Sequence, residues 1–146
     1  MNNRHTRQVD FVLAYPQAKS EFEIYMRLLR GIEILGMGNS THTLKLLINL
    51  YGGKAACRIW IQYLCKGLSN MGFRPSHVDE CVWYRDDTIF NFYVDSGIIQ
   101  CPQAEGIAEF MRDIRNNDPK NRILILKIEA TSHITWESIS RDKTTD

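Results

Sequence analysis

Polar and apolar residues alternate over Arg7–Leu13: Val9, Phe11 and Leu13 fall on one side and Gln8, Asp10 and Val12 on the other. That period of two predicts a strand with a carboxylate at its middle. An aspartate among valine, phenylalanine and leucine is costly to bury, so Asp10 is either exposed at an edge or held for chemistry. Over Ala55–Met71 the period lengthens: Cys57, Trp60, Ile61, Leu64, Cys65, Leu68 and Met71 recur at three- and four-residue steps, which predicts a helix capped by Gly72. Its opposite face carries Arg58, Gln62 and Lys66, just after a Gly52-Gly53 turn. Ile107, Phe110, Met111 and Ile114 predict a second amphipathic helix over Gln103–Arg115, entered after Pro102 and ended by Asn116-Asn117-Asp118-Pro119.

Between the helices, Cys81–Arg85 and Thr88–Val94 are β-rich runs split by Asp86-Asp87, the pattern of a hairpin. A second reversal is expected at Asp95-Ser96-Gly97, before Ile98–Cys101. Arg122–Ala130 and His133–Ile139 read as further strands. Ser20-x-x-Glu23 has capping-box spacing and predicts a short helix that Ile24-Tyr25-Met26 continues or turns into a strand, ended by Gly31. Gly36–Thr43 is a loop by composition, and Leu44–Leu50 is apolar but undecided in type.

The firm elements run strand, helix, strand, strand, helix, strand. This predicts an α+β fold of the ferredoxin-like, split βαβ kind, an antiparallel sheet with helices packed on one face. In that order the strand bearing Asp10 lies beside the hairpin bearing Asp95. Two carboxylates meeting at a sheet rim repel unless a divalent metal neutralises them, and hard oxygen ligands favour Mg²⁺ or Mn²⁺.

Composition narrows the class. The chain has 146 residues, 44% hydrophobic and 24% charged, values that exclude a disordered or collagen-like chain. No apolar run is long enough for a membrane span and the start is too polar for a secretory signal, so no membrane partner and an intracellular address are expected. The net charge of +1 says little, but no acid occurs between Glu33 and Asp79, where Lys45, Lys54, Arg58, Lys66 and Arg74 all fall. That stretch is expected to present an uncompensated basic surface, for nucleic acid or simply for solvent. Cys57, Cys65, Cys81 and Cys101 lie 8, 16 and 20 residues apart without metal-site spacing and are expected as reduced, buried thiols. His77 and Cys81 are expected to share packing on a helix face rather than a metal, and His5, His42 and His133 stand isolated.

Val9–Tyr15 (VDFVLAY), Glu23–Met26 (EIYM), Asn49–Arg58 (NLYGGKAACR), Trp60, Gly72-Phe73, Val78–Cys81 (VDEC) and Tyr93–Ser96 (YVDS) together resemble, in order, the reverse transcriptase of copia-type retrotransposons. The resemblance implies a polymerase palm with a remnant of the fingers over 1–140 and a disordered tail over 141–146. It implies RNA-directed DNA synthesis by two-metal phosphoryl transfer. Asp10 and Asp95 are then the catalytic metal ligands, with Mg²⁺ or Mn²⁺ as cofactor. Tyr15, Gly52 and Lys54 fall to the nucleotide, Tyr15 as the gate under the incoming sugar. Arg58, Lys66 and Tyr93 fall to nucleic acid. The implied partners are an RNA or DNA template-primer, dNTP and the rest of a retroelement polyprotein.

Several positions depart from the family pattern. The YVDD turn reads Tyr93-Val94-Asp95-Ser96, the Pro-x-Gly after IYM reads Leu29-Arg30-Gly31, and the KQAP turn reads Lys54-Ala55-Ala56-Cys57. A serine in place of the second aspartate leaves one negative charge fewer to offset two dications. The match fades beyond Arg112, leaving no room for a thumb. A working palm within a larger assembly and a catalytically impaired remnant both stay open, and Ser96 favours the remnant. A non-catalytic α+β module that binds nucleic acid or a partner is the alternative. A palm without its covering parts is also expected to expose apolar side chains, with Phe11, Trp83 and Phe92 as candidates.

Overall fold

A computed structural model describes residues 4–28 and 43–116 and the backbone of 126–129. The expected strand at 133–139, the loop over 36–42, the terminator at 117–119 and the tail at 141–146 lie outside the described residues, as do His42 and His133.

The elements are β1 (His5–Phe11), α1 (Ala14–Gln17), β2 (Lys19–Arg27), β3 (Thr43–Ile48), α2 (Ala56–Asn70), β4 (Arg74–Pro75), β5 (Val82–Arg85), β6 (Thr88–Tyr93), β7 (Ser96–Cys101), α3 (Ala104–Asn116) and β8 (Leu126–Glu129). They form two compact units, one of Ala14–Tyr63 and one of the residues before and after it, with the division falling inside α2.

The larger unit holds a six-stranded sheet in the order β4-β5-β6-β7-β1-β8, antiparallel at every pairing. The fold is therefore mixed α and β on an antiparallel sheet. Because directly opposed residues share a face, the register sorts the strands into two sides. Val9, Phe90, Phe92, Ile99, Cys101 and Trp83 turn to the core and are buried. α3 packs against β1 and β7 on that side, burying the four residues its periodicity picked out. Phe110 is the hub: its ring centroid lies 4.9 Å from that of Phe90 and 5.6 Å from that of Phe73. Gly97 makes room for the close approach, since a Cβ there would come within 2.6 Å of the Phe90 ring.

α2 ends as the sequence predicts. Gly72 takes a φ of 81°, and the Phe73 N–H donates back to the Leu68 carbonyl at 3.0 Å, the closing bond of a Schellman cap. Arg85 then ties the helix end to its surroundings. Its guanidinium donates to the Met71 carbonyl at 3.1 Å, pairs with Asp113 at 2.7 Å and Glu109 at 3.2 Å, and lies 4.8 Å over the Phe73 ring.

The smaller unit is built on the β2–β3 ribbon. Ile24 faces Leu46, and Met26 faces Leu44, on one side; Tyr25 faces Lys45 on the other. This settles the type of both uncertain runs as strand, and it overturns the capping box. Ser20 bonds locally, donating to the Phe22 carbonyl at 2.8 Å and accepting from its N–H at 3.3 Å. Glu23 reaches Lys45 instead of the Ser20 backbone. Cross-strand pairing of apolar residues outweighs a local cap.

Further expectations are corrected. The reversal after β6 uses Val94-Asp95, since Tyr93 already pairs with Ser96, so Ser96 and Gly97 belong to β7. Phe11, Trp83 and Phe92 are buried, at 2%, 5% and 4% exposure; among the described side chains of this sheet the uncovered apolar ones are Tyr93, Tyr84 and Ile98. His77 sits exposed in the turn after β4 and not on a helix. Cys101 is buried and the other three thiols, all unpaired, are half-buried. Among the described residues no helix is long and apolar enough to cross a membrane.

Candidate functional site

Asp10 lies on β1 between β7 and β8, so it is not at an edge. Half-buried, it pairs in register with Ser96, whose Oγ donates to Asp10 Oδ1 at 3.5 Å. Tyr93 shares that face through its own pairing with Ser96 and is 80% exposed. The turn carrying Asp95 is locked onto β1, because the Phe11 N–H donates to the Asp95 carbonyl at 2.7 Å. The fold thus brings the Asp10 strand and the Asp95 turn together as the element order predicts.

The same turn is strained. Val94 has a φ of 55° and Leu13, two residues past the end of β1, one of 53°. A β-branched residue in the left-handed region is an outlier in proteins, so the sheet must hold it there.

Oxygen atoms with stated contacts at this rim are the Asp10 carboxylate, the Ser96 hydroxyl and the Asp95 backbone carbonyl. Among the described residues no three His, Cys, Asp or Glu side chains gather as a metal cluster. One carboxylate facing a neutral hydroxyl supplies too little negative charge to offset two hard dications.

The remaining predicted residues divide between the units. In the smaller unit the Tyr15 ring, on α1, rests 4.6 Å from the Tyr51 ring. Gly52 takes a φ of 87° in a turn closed by the Gly53 N–H donating to the Leu50 carbonyl at 3.1 Å, a geometry that calls for glycine. Lys54 follows, exposed, with no carboxylate partner among the described residues. Arg58, on α2, pairs with Glu21 at 3.7 Å. Lys66 and Tyr93 belong to the larger unit, where both are exposed.

Pairing of Arg58 with Glu21 and of Lys45 with Glu23 corrects the expected uncompensated basic stretch. The acids come from β2, outside the acid-free segment. Asn49 also escaped sequence reasoning. It is 5% exposed, and its side-chain amide donates to the carbonyls of Ala18 at 3.0 Å and Lys19 at 3.2 Å, pinning the entry of the Tyr51 turn to the start of β2. The signal was its place directly before Leu50-Tyr51-Gly52-Gly53.

On the sheet's thiol side, burial pushes the Cys65 thiol up from its ordinary value, with the charges of Cys81 and Glu80 adding to it; burial, Asp79 and Glu80 raise Cys81 likewise.

Comparison with known proteins gives the family. Residues 1–121 match the reverse transcriptase (RNA-dependent DNA polymerase) family, to which the chain belongs, in its copia-type branch. It is 29% identical over 144 residues to the retrovirus-related Pol polyprotein from transposon TNT 1-94 of Nicotiana tabacum, an alignment that covers 90% of this chain and 11% of the relative. The chain thus spans about a ninth of that polyprotein's length. No solved structure matches it significantly. Reverse transcriptases use divalent metals and copy a nucleic-acid template.

Proposed function

We propose that the chain is a palm with a remnant of the fingers, ferredoxin-like in topology, whose two-metal site is impaired by Ser96. Three observations support the fold part of this reading: β8, β1, β7 and β6 are consecutive in the sheet, all are antiparallel, and α2 and α3 sit in the two crossover positions of the chain order. The chemical part rests above all on Ser96 facing Asp10.

Asp10 and Asp95 are the metal ligands in this proposal, and Mg²⁺ or Mn²⁺ the cofactor. When bound, the dications supply the charge that activates a primer 3′-hydroxyl and offsets a triphosphate. Ser96 presents a hydroxyl where a third carboxylate would stand, and it donates a hydrogen bond to Asp10 that a metal must compete with. Tyr15, Gly52 and Lys54 serve the nucleotide and Arg58, Lys66 and Tyr93 the template-primer, inside the cell and alongside further polyprotein parts. Metal-independent nucleic-acid binding is the alternative, supported by the exposed Lys54, Lys66 and Tyr93.

Calorimetric Mn²⁺ titration of the chain beside Ser96→Asp tests the proposal. Weak binding by the chain and clearly stronger binding by the variant are expected. Equal binding by both removes Ser96 as the cause of impairment. Binding by neither means the carboxylates do not form a metal site, and the alternative then stands.

A further inference from the structure

We propose that Glu21 and Glu23 are built-in competitors for phosphate, so that single-stranded nucleic acid docks on the β2–β3 ribbon and the start of α2 by displacing them from Arg58 and Lys45. This rests on the nucleic-acid reading above, and it concerns the smaller unit alone.

Lys45, Lys54 and Arg58 come from a stretch with no acid of its own. The fold supplies two acids from β2, and each engages one cation: Glu21 with Arg58 at 3.7 Å, and Glu23 with Lys45. The two carboxylates lie two residues apart on β2, within the irregular stretch between Lys19 and Ile24, and between them they hold a cation of β3 and a cation of α2. All four side chains remain open to water, with 47–69% exposure. Ion pairs so exposed are weak and exchange readily for another anion.

Exposed aromatic rings accompany the cations. Tyr25 is 54% exposed, lies 5.9 Å under the Lys45 ammonium, and places its hydroxyl 3.5 Å from Glu23. Tyr51 is 53% exposed and is propped by Tyr15. Cations interleaved with exposed rings suit a flexible strand, whose phosphates take the charge while its bases stack. A duplex offers no free bases to stack. The acids offset two of the cations of this unit until phosphates arrive, so they lower its affinity.

Anisotropy of a fluorescein-labelled oligouridylate, titrated with the full chain and with E21Q/E23Q over a range of salt, tests the proposal. The variant is expected to bind about 3- to 10-fold tighter, and its log affinity to fall more steeply with log salt, by roughly 1.4 if two phosphate contacts are recovered. Adding R58Q to the variant should cancel much of the gain, and melting curves confirm that each protein is folded. An unchanged affinity and slope overturns the proposal while leaving the Mn²⁺ result, read in the other unit, to judge the polymerase reading. Absence of binding by both proteins overturns it together with the nucleic-acid reading of this unit. An equal gain for heparin, with Y25A leaving oligouridylate binding unchanged, would assign the face to polyanions at large and overturn the single-strand proposal.

Discussion

Ser96 and Asp10 face each other across β7 and β1, with the serine hydroxyl donating to the aspartate at 3.5 Å. The serine thus lowers the electrostatic cost of holding a half-buried carboxylate in the middle of a sheet, a task that falls to metal where two carboxylates meet.

The first prediction follows from that pair. Ser96→Asp places like charges directly opposite and should destabilise the metal-free protein by about 1 kcal/mol. Mn²⁺ should restore the loss, whereas the unsubstituted chain should gain little from it. Thermal melts with and without Mn²⁺ check both halves, and a variant as stable as the parent without metal would contradict the geometry.

Gly97→Ala should cost about 1–3 kcal/mol, because the new methyl enters the space of the fully buried Phe90 ring. Urea midpoints measure it. Shortening the ring with Phe90→Leu in the same chain should cost less than the two single changes added together.

Val94→Gly should stabilise the fold by roughly 0.5–1 kcal/mol. Release from the left-handed region recovers about 1–2 kcal/mol, part of which is lost to the wider freedom of glycine in the unfolded chain. A lowered melting temperature would show that the valine side chain outweighs its backbone strain.

Arg85→Met should cost about 2–3 kcal/mol, since it leaves the Met71 carbonyl and the Asp113 carboxylate without their donor. Lys at this position keeps the charge but not the fork, so it should recover only part of that loss in denaturant titrations.

Stability should also depend on alkali. The Cys65 and Cys81 thiols are raised above their ordinary value of 9.0 by burial and neighbouring charge. The folded chain therefore holds its thiol protons longer than the unfolded one, so this stability is complete below about pH 9 and is lost as pH rises through the folded values. Cys65→Ser with Cys81→Ser should flatten the fall between pH 8 and pH 10, as followed by chemical denaturation.

Much of this was legible in the sequence, for reasons that differ from element to element. α2 and α3 follow from their own periodicity, and the β5–β6 hairpin from Asp86-Asp87, where Asp86 indeed takes a φ of 51°. The juxtaposition of β1 with the Asp95 turn follows from element order alone. β2 was not legible, because Ser20 and Glu23 fit a local cap while the decisive partners, Leu44 and Leu46, lie some twenty residues away. The ion pairs of Glu21 and Glu23 were hidden for the same reason. The buried face of β5 and β6 needed the register, which places Trp83 opposite Phe90 and turns both to the core.

Asp10 and Ser96 stand 86 positions apart. During synthesis β1 waits, its edge unpaired, until nearly all of the described chain that follows it has been made, because β7 and β8 are its partners. Closing so long a loop is slow, and β1 carries Val9 and Phe11 exposed through that interval. The pairing of Asp10 with Ser96 is thus among the later contacts to form, and a chain interrupted before β7 would hold helices and a hairpin but not that pair.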